Sequence, residues 1–140
     1  MKSRDTLIRL KKFQVDEKRR KVAQIESMIA DFDRMAMDLE REIKTEQERA
    51  GIHDPGHFAY PTYAKAAIQR RENIKRSADE LKVQLEAAKD ALADAFEELK
   101  KVEQLDERDQ MRERAAEEAQ ERSDLDAIGL MRSRTSASPI

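Results

Sequence analysis

Cysteine is absent from this 140-residue chain, and so is tryptophan. Without cysteine there is no disulfide, no thiolate nucleophile and no sulfur-ligated zinc. Aromatics make up 4% of the residues, and glycine and proline number three each. Leu, Ile, Val and Phe together number 27, too few to fill a compact globular core. Long apolar runs are missing, so nothing is expected to insert into a bilayer. The opening MKSRDTLIRLKKF carries positive charge with no apolar stretch behind it, which argues against a secretory signal and makes the cytoplasm the expected compartment. A dominant sign of charge is lacking too: 28 basic and 30 acidic residues leave a net charge of −2 in a chain that is 41% charged. What is present is helix-forming material, since 74 residues are Ala, Glu, Lys, Leu or Arg. Interleaved charge on such a background indicates long helices or a coiled coil, provided the periodicity is there. A catalytic domain needs a concave pocket walled by a three-dimensional core, so the chain is read as a non-enzyme.

Glycine and proline punctuate the sequence in one place. Residues 1–50 and 62–128 contain neither, whereas Gly51–Pro61 holds two of each. Gly51 suits a helix C-cap, Asp54-Pro55-Gly56 is turn chemistry, and Thr62 is a potential N-cap. The expected organisation is one all-α domain over 1–128: a helix over 4–50, a turn over 51–61 and a helix over 62–128. The small, polar stretch 129–140 is expected to be a disordered tail.

Both long segments carry a seven-residue repeat. In the first, Ile8, Val15, Val22, Ile29, Ala36, Ile43 and Ala50 form the a row, with Lys11, Lys18, Ile25, Phe32, Leu39 and Glu46 in the d row. In the second, the a row is Ala64, Arg71, Ala78, Leu85, Leu92, Leu99 and Asp106, and the d row is Ala67, Ile74, Leu81, Ala88, Ala95, Val102 and Asp109. A short turn makes the two helices antiparallel neighbours. The favoured register pairs Val15 with Val102, Ile25 with Leu92, Phe32 with Leu85 and Ile43 with Ile74. It also opposes Glu46 to Arg71 and Lys11 to Asp106, and sets Glu26, Asp33 and Glu40 against Lys89, Lys82 and Lys75. A slide of one heptad opposes Leu39 to Arg71 and Arg19 to Lys89. Each exposed ion pair is worth only about 0.2–1 kcal/mol, but burial of unpaired polar groups opposes the slide. From Gln110 onward the second helix has no partner, so the fold is an antiparallel coiled-coil hairpin with an overhanging C-terminal helix.

Chemistry-bearing clusters are few. His53 and His57 flank Asp54, but Pro55 and Gly56 forbid the helical turn that would align them, and a solvated loop is the better reading; no metal or cofactor is expected. No phosphate-cradling loop or nucleophile set is found. Residues 1–22 carry nine basic against three acidic residues, and 106–140 carry six against nine, at the same end of the rod. Lacking interleaved aromatics, the basic stretch points to an acidic protein partner or plain solvation rather than to nucleic acid. Arg9, Lys12, Arg19 and Arg20 are the partner-binding candidates there. Phe58, Tyr60 and Tyr63, half of the aromatics, gather at the turn. Either they cap the hydrophobic seam locally or, since a narrow rod tip has little core to bury them, they are expected to stay exposed and to bind a partner.

The opening MKSRDTLIRLKKFQVDEKRRKVAQIE, the tip DPGHFAYPTYAKAA and the later AFEELKKVEQLDERD together resemble the FliJ family of flagellar export proteins, in its alphaproteobacterial form. The resemblance implies a component of the flagellar type III export apparatus, peripheral at the flagellar base on the inner membrane. Its implied partners are the export ATPase ring, entered by the end carrying both termini, and the cytoplasmic part of the export-gate membrane protein. Export substrates or their chaperones are further implied partners, since the family has also been regarded as general export chaperones. The competing expectation is a generic coiled-coil scaffold or holdase chaperone with no ATPase partner.

Overall fold

The structure, a computed structural model, describes residues 2–137, with side chains over 3–135. The described residues form two α-helices and no strand: α1, Lys2–Ala50, of 49 residues, and α2, Thr62–Ala137, of 76. At 1.5 Å per residue they are about 74 and about 114 Å long. They pack against each other as the expected antiparallel hairpin.

The turn is built by its own residues. Gly51 adopts φ +70° and its N–H donates to the carbonyls of Gln47 (2.9 Å) and Glu48 (3.3 Å), closing α1 with a left-handed cap that a side chain would strain. Asp54 Oδ1 accepts from Gly56 N–H at 2.9 Å, and the Asp54 carbonyl accepts from His57 N–H at 3.0 Å. A second turn follows at once, Tyr60 N–H donating to the His57 carbonyl at 3.1 Å. Thr62 is the first helical residue rather than the cap; the Pro61 carbonyl accepts the Lys65 N–H at 3.1 Å and occupies the capping position.

The far end of α2 departs from expectation. The helix runs through Gly129 to Ala137, where a disordered tail from 129 was expected. One glycine weakens a helix by about 1 kcal/mol but does not stop it, and Leu130, Met131, Arg132 and Arg134 on its far side are helix-compatible. Residues 138–140 of the expected tail lie outside the described residues.

The seam between the helices is the whole core. Val15, Ala95 and Leu99 form one buried cluster, flanked by Ile8 and Leu92. Ile25, Leu81 and Ala88 form a second, with Val22, Ile29, Phe32 and Leu85 against it. Leu39, Ile43 and Ala67 form a third, joined by Ile68 and Ile74. These groupings correct the expected register by one heptad. Val15 lies with Ala95 rather than Val102, and Ile43 lies with Ala67. Lys11 pairs with Glu98 at 2.9 Å, while Asp106 pairs with Arg4 at 3.3 Å, so the expected Lys11–Asp106 layer does not form.

The turn's length decides the matter. In the expected register, α2 would begin beyond the last residue of α1, so Ala64 would face no helix and Ala67 only the terminal Ala50. In the structure both alanines are buried, at 0% and 3% exposure. The costs assigned to this register are offset locally. Arg71, opposite Leu39, lays its stem along the seam and carries its guanidinium out to Glu72 (3.1 Å) and Glu40 (3.7 Å). Arg19 and Lys89 each pair with a carboxylate of their own helix, Asp16 at 3.9 Å and Glu86 at 3.8 Å.

Candidate interaction surfaces

The turn separates the three nominated aromatics. Phe58 is 97% exposed and stacks on His57, ring centroids 4.7 Å apart. His57 Nδ1 in turn accepts the Ala59 N–H at 3.0 Å, which ties the imidazole to the loop. Tyr63 is 56% exposed, and its hydroxyl donates to Glu42 Oε2 at 2.9 Å. That hydrogen bond, together with the nearby carboxylate charge, raises the phenol's pKa above its ordinary value of 10.0. Tyr60 contradicts the expected exposure: it is 7% exposed, and its hydroxyl accepts from Gln47 Nε2 at 2.8 Å. The second turn folds its ring back over the end of α1, so Tyr60 is a brace of the turn. The surface presented at the tip is therefore Phe58 on His57, with Tyr63 to one side.

Roughly 45–65 Å away along the rod, Arg9, Lys12, Arg19 and Arg20 are all exposed. Their spacing puts Lys12 and Arg19 beside the seam and Arg9 and Arg20 further round, on the outer face of α1. Among the described residues Arg9, Lys12 and Arg20 form no ion pair. Arg19 is more engaged, its guanidinium 4.8 Å from the Phe96 ring centroid and paired with Asp16. The two nominated sets do not come together; they mark opposite ends of the molecule.

The end carrying both termini is clamped. Arg4 reaches three carboxylates of α2: Glu113 at 2.9 Å, Asp109 at 3.2 Å and Asp106 at 3.3 Å. The hydrogen bond to Glu113, helped by the three negative charges against partial desolvation, raises its pKa further. Lys11 holds the Glu98 carboxyl below its ordinary 4.5, chiefly by hydrogen bonding. Past Glu113 no described residue of α2 meets α1, and residues 110–135 are exposed throughout.

Two features escape a reading by heptads alone. The alanines Ala87, Ala88 and Ala91 leave a shallow groove of about 320 Å³ along the seam, with Lys18 and Lys21 on its rim. At the far end of the overhang, Leu125, Ile128, Leu130 and Met131 are 66, 48, 64 and 68% exposed. The signal for these is the i, i+3, i+6 spacing of Leu125, Ile128 and Met131, which the expected helix end at 128 cuts between Ile128 and Met131. Among the described residues no group of His, Cys, Asp and Glu is arranged to hold a metal ion, and no helix is long and apolar enough to cross a membrane.

A family model described as "Flagellar FliJ protein" matches residues 1–138. No curated protein and no solved structure matches the chain.

Proposed function

The chain belongs to the FliJ family of flagellar proteins, and from that premise we propose that it works in flagellar type III export as a non-catalytic rod coupling the export ATPase ring to the export gate. The observation that carries this reading is the overhang. From Glu113 to Ala137 α2 continues as a lone helix for about 24 residues, or about 36 Å. A slim single helix enters a ring that a two-helix rod cannot, and its attachment to a stiff hairpin lets it contact ring subunits unequally and bias their states. The basic flank at Arg9, Lys12 and Arg20 orients that entry, since rim charges act mainly on encounter and alignment. The opposite tip, with Phe58 and Tyr63 outward, is the surface offered to the cytoplasmic part of the gate protein. A general chaperone role toward export substrates or their chaperones uses the same exposed faces. The rod works at the flagellar base, peripheral to the inner membrane.

The test is co-sedimentation with the export ATPase, with hydrolysis measured in parallel. Truncation after Glu113 should abolish association and any stimulation. Reversing charge at Arg9, Lys12 and Arg20 should weaken association about tenfold at low salt and less at high salt, because screening acts over roughly 8 Å at physiological ionic strength. Phe58→Ala with Tyr63→Ala should leave both readouts intact and reduce binding to the gate's cytoplasmic part. Equal behaviour of the truncated and full chains would overturn the docking assignment and favour a scaffold or holdase without an ATPase partner.

A further inference from the structure

The overhang has an unpartnered apolar face, and the charges around it say what covers it. Leu125 and Ile128 stand three apart and exposed, with Glu121 four residues before Leu125 and Arg132 four residues after Ile128. These four side chains occupy successive seam positions of one heptad stripe. Among the described residues neither Glu121 nor Arg132 has an ion-pair partner in its own chain.

We propose that this stripe pairs with the same stripe of a second copy, antiparallel, about a twofold axis near residues 126 and 127. Leu125 then faces Ile128 of the other copy, twice by symmetry. Glu121 faces Arg132 of the other copy, again twice, so both ends of the apolar centre close on opposite charges. A parallel arrangement would stack Glu121 on Glu121 and Arg132 on Arg132, and is excluded by its own charges. Gly129 lies beside the stripe in open space, where even a Cβ would meet nothing within 4 Å, so nothing of the chain itself blocks a second helix on that side. Access is open because each hairpin body ends near Glu113, about 20 Å before the axis. The contact is small, below the roughly 1,200 Å² of a standard interface, so the dimer is weak and concentration-dependent. The pairing itself stands apart from the docking reading; if that reading holds, self-association withholds the overhang from the ring.

Sedimentation equilibrium of the full chain from 1 to several hundred micromolar (a range set by the weak association expected) should show monomer passing to dimer. Glu121→Arg or Arg132→Glu should each weaken the dimer at least about tenfold, because the twofold axis makes every substitution act twice. The double variant Glu121→Arg/Arg132→Glu should recover wild-type association, which a structural role within one chain would not produce, these positions being about 16 Å apart along the helix. In an oxidised mixture, Leu125→Cys and Ile128→Cys chains should form mixed disulfides in preference to like pairs. A chain that stays monomeric throughout, a dimer indifferent to Arg132→Glu, or a double variant no better than the singles would each overturn the proposal. None of these readouts involves the ATPase, so failure here leaves the docking test untouched, and the reverse.

Discussion

Phe58 and Tyr60 stand two residues apart in the turn and have opposite surroundings, one almost wholly exposed and the other buried under a hydrogen bond from Gln47. Tyr60→Phe should therefore lower unfolding stability by about 1 kcal/mol, the usual net value of a lost internal hydrogen bond. Phe58→Ala should change it by no more than about 0.5 kcal/mol. Thermal or urea unfolding of the two variants checks both, and equal losses would reverse the assignment of brace and surface. Lys11 and Glu98 supply a test by pH. The folded-state carboxyl titrates below its ordinary 4.5, so its contribution to stability is complete above that value and is lost as pH falls through the lowered one. Acidification below about 4.5 should loosen the end carrying the termini, and Lys11→Met should return the Glu98 titration, followed by carbon-13 NMR, to the ordinary range.

At the scale of the elements, the register is the decisive quantity. Cysteines replacing Val15 and Ala95 should cross-link within one molecule under mild oxidation, since both lie in the same buried cluster. The Val22 and Ala95 pair, neighbours only in the other register, should remain reduced; the opposite outcome in gel mobility would restore that register. The length of α2 is open to an equally direct test. Gly129→Ala replaces an exposed mid-helix glycine at a point where the added Cβ meets nothing. It should stabilise the local helix by up to about 1 kcal/mol and slow amide exchange around residues 125–135. No change in exchange would mean that this stretch is not helical in solution.

The molecule as a whole is a rod with one core line and a free end. Every described residue beyond Glu113 is exposed wherever its side chain is described, so the overhang contributes nothing to the seam. Truncation after Glu113 should leave the melting midpoint within about 1–2 °C of the full chain while removing helical signal in proportion to the residues lost. A large drop would show the overhang packed on the hairpin. Arg4 stands at the boundary. Arg4→Ala leaves Asp106, Asp109 and Glu113 without their cation, and should fray the first turns of α1, visible as faster amide exchange there with the tip unaffected.

The sequence by itself determined two helices, the turn between them, their antiparallel packing and the lone C-terminal stretch. Each is a local consequence: heptad spacing, glycine and proline confined to one short segment, and a second segment longer than the first, unpartnered from Gln110. It also placed the aromatic and basic candidates at opposite ends. Register, Tyr60 and the end of α2 belonged to the tertiary structure. Adjacent registers differ by a few surface pairs of small individual worth, whereas the height at which α2 starts depends on two consecutive turns closing over Gly51. Those turns bury Ala64 and Ala67 against α1 and fold Tyr60 inward. No single residue states that geometry; it emerges when the loop's hydrogen bonds and the first layers of the seam are satisfied together.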